Sequence, residues 1–114
     1  MDLQLSAQAG QVCTVVRVAG ELDMDTSPQL EDFLQEVVDG GARQVVLDYT
    51  DVTFMDSSGL GVLVTWVKTL QNRGGRLCVA AVPRQVRDVL MLSAVDRVVD
   101  VYDSVVAAED EIAS

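Results

Sequence analysis

The sequence lacks histidine altogether among its 114 residues. Serine and cysteine hydrolase triads and histidine-based zinc sites are therefore excluded, because each needs an imidazole ring as a base or a ligand. A glycine-rich phosphate-binding loop of the Gly-x-x-x-x-Gly-Lys type is also absent from the sequence. We therefore expect a protein that is not an enzyme and that carries no cofactor.

Basic side chains are scarce as well. Eight Lys and Arg residues stand against eighteen Asp and Glu residues, which gives a formal net charge of −10. Such a charge repels nucleic acids and anionic lipids, and the few cations are scattered along the chain. No apolar run approaches the roughly 20 residues that span a bilayer, and the N-terminal residues lack the basic start of a signal peptide. We expect a cytoplasmic protein with no nucleic-acid partner and no membrane partner.

Only two cysteines are present, Cys13 and Cys78, and each lies in an apolar, strand-like segment. Neither has a second metal-type ligand beside it, and there is no Cys-x-x-Cys pair. We interpret both as buried, reduced thiols. The sequence alone leaves open a disulfide between neighbouring strands, although this would be unusual in a reducing cytoplasm.

The remaining pattern is typical of one domain over residues 1–114, with a core of Val, Leu and Ala because aromatic residues make up only 4%. We predict an α/β fold, a single mixed β-sheet of about five strands with about four α-helices packed on it. The predicted strands are residues 3–7, 11–19, 45–47, 77–81 and 98–102. The predicted helices start near Ser27, at the serines 57 and 58, at Pro83 and at Ser104.

Ser57 and Ser58 lie at the predicted start of the second helix, where unpaired amides and the helix dipole favour a phosphate. The same residues also fit an ordinary helix cap, formed by Asp56 or Ser57. Gly59 and Gly61 are unfavourable in a first turn and cost about 1 kcal/mol each relative to Ala. They indicate room for a partner or, for Gly61, close packing of the helix on the sheet.

A second polar segment, Gly20-Glu21-Leu22-Asp23, is interpreted as an acidic turn between the second strand and the first helix. If the second and third strands are parallel neighbours, their following loops bring Asp23 and Asp56 to the rim of the sheet that carries Ser57. Two carboxylates supply too few oxygens for Mg²⁺, so we expect no metal site.

Residues 20–23 together with residues 48–63 resemble the two signature regions of bacterial anti-sigma factor antagonists of the STAS domain family. The most specific part is the string Met55-Asp56-Ser57-Ser58-Gly59-Leu60-Gly61. The resemblance implies that Ser57 is phosphorylated by an anti-sigma factor that is also a serine kinase, with Ser58 as the fallback. It also implies that the kinase docks on the surface formed by Asp23, Asp56, Ser58, Gly59 and Gly61.

The function implied by this resemblance is a partner switch. The unphosphorylated form binds the anti-sigma factor kinase, with its ATP or ADP, and frees the sigma factor; phosphorylation of Ser57 abolishes binding, and a serine phosphatase resets the switch. The alternative is a STAS interaction or sensing module in a larger complex without phosphorylation of Ser57. Met24 and Asp25 make the turn at Asp23 more acidic than the family pattern suggests, which leaves the identity of the kinase open.

Overall fold

Five strands in one mixed sheet and four α-helices make up the described part of the protein, residues 2–114 of a computed structural model. The predicted fold class is therefore confirmed. Along the chain the elements are β1 (Gln4–Ala9), β2 (Thr14–Leu22), α1 (Ser27–Asp39), β3 (Gln44–Met55), α2 (Ser57–Asn72), β4 (Arg76–Ala80), α3 (Arg84–Leu92), a 3-10 turn (Val95–Arg97), β5 (Asp100–Tyr102) and α4 (Val105–Ala113).

The strands lie in the sheet in the order in which they occur in the chain, β1-β2-β3-β4-β5. β1 is antiparallel to β2, and the other three pairs are parallel. Each parallel connection moves one strand in the same direction, so right-handed crossovers place α1, α2 and α3 on one face. β3 is central, as predicted.

The main core lies between the sheet and these three helices. Val45, Leu47 and Tyr49 of β3 contribute to it, whereas Val46 packs on the other face with Ala108 of α4. Tyr49 is fully buried, and its hydroxyl has no hydrogen-bond partner among residues 2–114. Burial raises the pKa of this hydroxyl, so Tyr49 stays neutral.

The end of β2 differs from the prediction. The sequence suggested that Gly20 closes this strand, but β2 continues to Leu22, so only Asp23 begins the turn. Gly20 has a φ of 118° and lies next to an irregularity in the pairing with β3. Glycine adopts this conformation without strain, so here it marks a bulge within the strand.

Other strand boundaries also differ from the prediction, among them the start of β2, which is Thr14 and not Gln11. β3 is twelve residues long because it continues through Thr50, Asp51 and Thr53, whose side chains are exposed at the sheet surface. β5 begins only at Asp100, because Ala94 adopts a left-handed φ of 62° and the 3-10 turn follows.

Cys13 and Cys78 are both buried and unpaired, as predicted. Cys13 directly precedes β2 and Cys78 lies in β4, with β3 between them. Strands two positions apart in a sheet are separated by about 9–10 Å. A disulfide needs Cα atoms closer than about 7 Å, so the geometry excludes this bond.

Candidate functional site: the rim at Ser57

The site lies where β2 and β3 end side by side. Leu22 and Met55, the last residues of the two strands, are paired in the parallel ladder. Directly beyond this pair, the amide of Asp56 donates a hydrogen bond to the carbonyl of Leu22 at 3.1 Å. The condition stated from the sequence, that the second and third strands be parallel neighbours, is therefore met, and the loops after these strands carry Asp23 and Asp56 to one rim of the sheet.

Asp56 caps α2 through its side chain. Its Oδ1 accepts hydrogen bonds from the amide of Ser58 at 2.9 Å and from the hydroxyl of Ser58 at 2.5 Å. The hydroxyl of Ser58 also lies 3.1 Å from that of Ser27, the first residue of α1. Ser58 is half-buried and joins the starts of two helices, so its hydroxyl is already engaged within the protein.

Ser57 is the first residue of α2, and its side chain is exposed. None of the hydrogen bonds found within residues 2–114 involves its hydroxyl, in contrast to the hydroxyl of Ser58. The amides of the first turn of a helix and the positive end of its dipole lie beside such a residue. An anionic group on Ser57 would therefore be well placed electrostatically with respect to α2.

The carboxylate of Asp23 shapes the adjacent turn. Its Oδ1 accepts hydrogen bonds from the amides of Thr26 at 3.0 Å and Asp25 at 2.9 Å. The amide of Thr26, and after it that of Asp25, lowers the pKa of the Asp23 carboxyl below its usual value, since these bonds favour the ionised form. The carboxylate of Asp23 thus stabilises the turn that leads into α1, and this turn forms part of the rim that carries Ser57.

The two glycines of α2 have different environments. Gly59 is buried, and a Cβ added to it would lie 2.6 Å from Met55 Cγ and 3.2 Å from Leu22 Cβ. Gly61 is exposed, and a Cβ added there would have no atom within 4 Å. Close packing against Met55 and Leu22 therefore explains why residue 59 is a glycine. The suggestion that Gly61 is needed for close packing of the helix on the sheet is wrong.

Thr26 and Ser27 are site residues that the sequence did not single out beyond their role as helix-start signals. Both side chains are buried, although both are polar. The hydroxyl of Thr26 donates to the carbonyl of Glu21 at 2.6 Å, which ties the turn to the end of β2. The available signal was the position of Thr26 and Ser27 between an aspartate and a proline at the start of a helix. Buried hydroxyl groups need hydrogen-bond partners, and the turn before the helix supplies them.

The rim is acidic. Residues 20–27 and 53–59 contain four carboxylates, those of Glu21, Asp23, Asp25 and Asp56, and neither segment contains Lys or Arg. Within residues 2–114 no group of three or more Cys, Asp or Glu side chains is arranged to hold a metal ion. The same residues include no helix that is both long and apolar enough to cross a membrane.

The strand order, the three helices on one face and the single helix on the other define the STAS fold. The sequence profile of the STAS domain matches residues 4–108. The chain therefore belongs to the STAS domain family.

Several relatives of the chain are bacterial regulators. The anti-sigma F factor antagonist of Paenibacillus polymyxa is 32% identical over 113 residues, which cover 98% of this chain and 97% of that protein. An anti-sigma factor antagonist from Mycobacterium paratuberculosis is 27% identical, with a TM-score of 0.89 over 98% of this chain and 95% of that one. The unphosphorylated form of the anti-sigma factor antagonist SpoIIAA shares the fold, with a TM-score of 0.80 at 22% identity over 96% of each chain.

Proposed function

We propose that this protein is an anti-sigma factor antagonist whose output depends on phosphorylation of Ser57. The unphosphorylated form binds an anti-sigma factor, a serine kinase that holds ATP or ADP, and so frees the sigma factor. Phosphorylation of Ser57 ends this binding, and a serine phosphatase restores the first state. The names of the relatives support the antagonist function, and the remaining steps are inferred from the rim at Ser57.

The observation that carries the proposal is the contrast between the two serines. Ser57 is exposed and its hydroxyl makes no hydrogen bond within residues 2–114, so a kinase can reach it without disturbing the fold. The hydroxyl of Ser58 is bonded to Asp56 and lies against Ser27. Phosphorylation of Ser58 would disrupt its hydrogen bonds to Asp56 and to Ser27 of α1, and Ser57 is therefore the better substrate.

The effect of the phosphate is electrostatic. A phosphoserine carries about −1.5 to −2 charges at pH 7. The amides at the start of α2 can accommodate this charge within the protein, so we expect the fold to persist. In the complex the new charge enters a docking surface that is already acidic, near the nucleotide phosphates of the kinase. If placing this unpaired charge in the interface costs about 3–4 kcal/mol of binding free energy, the affinity for the kinase falls on the order of several hundredfold.

Two structures of one relative illustrate both states of such a switch. SpoIIAA has been determined in an unphosphorylated and in a phosphorylated form, and both superpose on this chain, with TM-scores of 0.80 and 0.70. At 22% identity this likeness concerns the fold alone. It supports the expectation that a STAS domain can carry a phosphate and remain folded.

The test is incubation of the protein with the anti-sigma factor kinase of the same organism and ATP, followed by mass measurement of the intact chain. We expect one phosphate on the wild type and on Ser58→Ala, and none on Ser57→Ala. The circular dichroism spectrum of each variant serves as the control for folding. A wild-type protein that binds the kinase but gains no phosphate would instead be a STAS interaction module without this modification.

A second experiment addresses the charge mechanism. Ser57→Asp places a carboxylate where the phosphate is expected, and Ser57→Asn is a neutral variant of nearly equal size. We expect Ser57→Asp to bind the kinase more weakly than Ser57→Asn, with unchanged thermal stability in both. Equal affinities of the two variants would contradict a mechanism based on charge.

A further inference from the structure

Two large apolar side chains are exposed at the rim that carries Ser57. Met24 follows Asp23 in the turn and is 77% exposed, and Phe54, near the end of β3, is 47% exposed. Exposed single apolar residues are common on protein surfaces. These two residues differ because both lie close to the proposed modification site along the chain or across the sheet. Phe54 lies three residues before Ser57, and Met24 lies two residues after Leu22, which pairs with Met55.

Met24 is held in a well-defined turn. The residues on either side of it, Asp23 and Asp25, are joined by the hydrogen bond from the Asp25 amide to the Asp23 carboxylate at 2.9 Å. The amide of Ser27 donates to the carbonyl of Asp23 at 2.9 Å and closes the same turn. The backbone that presents Met24 is therefore ordered before any partner binds, which lowers the entropic cost of using it in an interface.

Phe54 is held by the sheet. It is paired with Glu21 of β2, and the carbonyl of Thr53 directly before it accepts a hydrogen bond from the side chain of Gln85 at 3.1 Å. Its backbone is thus fixed on both sides of the strand. An aromatic residue presented in this way offers a large contact area with few rotatable bonds, a property of side chains that dominate binding energy.

The surroundings of these two side chains select the kind of partner. The carboxylates of Glu21, Asp23 and Asp25, with no Lys or Arg in residues 20–27, favour Lys or Arg side chains opposite them, whereas in the proposed complex the nucleotide phosphates of the partner lie opposite Ser57. Apolar side chains within a charged surface require apolar pockets within the partner surface. The rim therefore fits a protein surface that combines Lys or Arg side chains with apolar pockets that receive Met24 and Phe54.

We infer that Met24 and Phe54 are the apolar anchors by which the anti-sigma factor is bound, and that the carboxylates around them orient it. This inference rests on the proposed function, since it names the contacts of the same partner. The carboxylates increase the rate of association, whereas the two anchors slow dissociation. Affinity should therefore depend on Met24 even at high salt concentration, where the contribution of the carboxylates is screened.

The test measures binding of the unphosphorylated protein to the purified anti-sigma factor kinase of the same organism, loaded with ADP. We expect Met24→Ser and Phe54→Ser each to raise Kd by about tenfold or more, mainly through faster dissociation. Met24→Leu should retain most of the affinity, because it keeps an apolar side chain of similar size. Leu92→Ser is the matched control, since Leu92 is 89% exposed at the far end of α3.

The outcomes separate this inference from the proposed function. If the wild type binds the kinase and Met24→Ser binds as tightly as Leu92→Ser, the inference that Met24 is an apolar anchor is refuted, whereas the proposed antagonist function stands. If the wild type does not bind any anti-sigma factor of its organism, both are overturned. The Met24 side chain is largely exposed, so Met24→Ser leaves the core intact. This variant therefore tests the inference even if Phe54→Ser folds poorly.

Discussion

Replacing Gly59 by alanine should destabilise the protein, although alanine is normally favoured in a helix. The added Cβ would lie 2.6 Å from Met55 Cγ, where carbon atoms in contact are about 3.5–4.0 Å apart. Met55 is only 3% exposed and is enclosed by other side chains of the main core. Leu22 Cβ, at 3.2 Å on the other side, is attached directly to the backbone of β2.

The magnitude follows from two opposing effects. Overpacking a well-packed core costs about 1–3 kcal/mol, and a glycine-to-alanine change inside a helix recovers up to about 1 kcal/mol. Because both neighbours of the new methyl group are constrained, we expect a net loss of about 1–2 kcal/mol. For a chain of this length that corresponds to a melting temperature lower by roughly 4–8 °C.

Gly61→Ala is the matched variant, two residues further along the same helix. Its Cβ would meet no atom within 4 Å, so only the gain in helix propensity remains. We expect it to stabilise the protein by about 0.5–1 kcal/mol. Thermal unfolding followed by circular dichroism compares the two variants with the wild type. If Gly59→Ala melted at or above the wild-type temperature, the packing argument would be refuted.

A double-mutant cycle identifies the contact itself. In a Met55→Ala background the space beside Gly59 is opened, so Gly59→Ala should cost less than it does in the wild type. A coupling energy of about 1 kcal/mol would assign the clash to Met55. No coupling would assign it to Leu22.

Three other predictions follow from buried or hydrogen-bonded groups. Tyr49→Phe removes a buried hydroxyl that has no partner within residues 2–114, and we expect denaturant unfolding to show a gain of up to about 1 kcal/mol; a loss above that size would reveal a hidden partner. The pKa of Asp23 is lowered by folding, so its stabilising effect is complete above the pKa of the unfolded chain and is lost as the pH falls below about 4. Asp23→Asn should therefore unfold with a weaker dependence on pH in that range. Burial raises the pKa of Cys78 to about 12, so a thiol reagent should label Cys78 at neutral pH only after denaturation, and rapid labelling of the native protein would contradict its burial.

The periodicity of the apolar residues is enough to predict the helices and their faces. Leu30, Leu34 and Val38 recur at helical spacing in the sequence, and all three are buried in α1. The meeting of Asp23 and Asp56 at one rim is also predictable, because it requires only that β2 and β3 be parallel neighbours. Local pattern and simple topology therefore lead from the sequence to the position of the site.

Features that depend on register between strands are beyond the sequence. Gly20 is predicted to end β2 but lies within the strand at a bulge, because a glycine in a bulge and a glycine after a strand have the same local pattern. A glycine is needed at position 59 because Met55 and Leu22 leave no room for a Cβ, and the sequence does not reveal this contact. Ser27 and Ser58 meet across a separation of 31 residues, which no periodicity indicates.

The order of the strands also has a consequence for how the protein is made. Because every new strand joins the sheet at its growing edge, no strand has to be inserted between two strands that are already paired. β2, α1, β3 and α2, which together form the rim, are all complete by Asn72. As the chain leaves the ribosome from its N-terminus, these elements emerge first. β4 and β5 then add to one edge of a sheet that already carries Ser57, while α3 and α4 pack on its two faces.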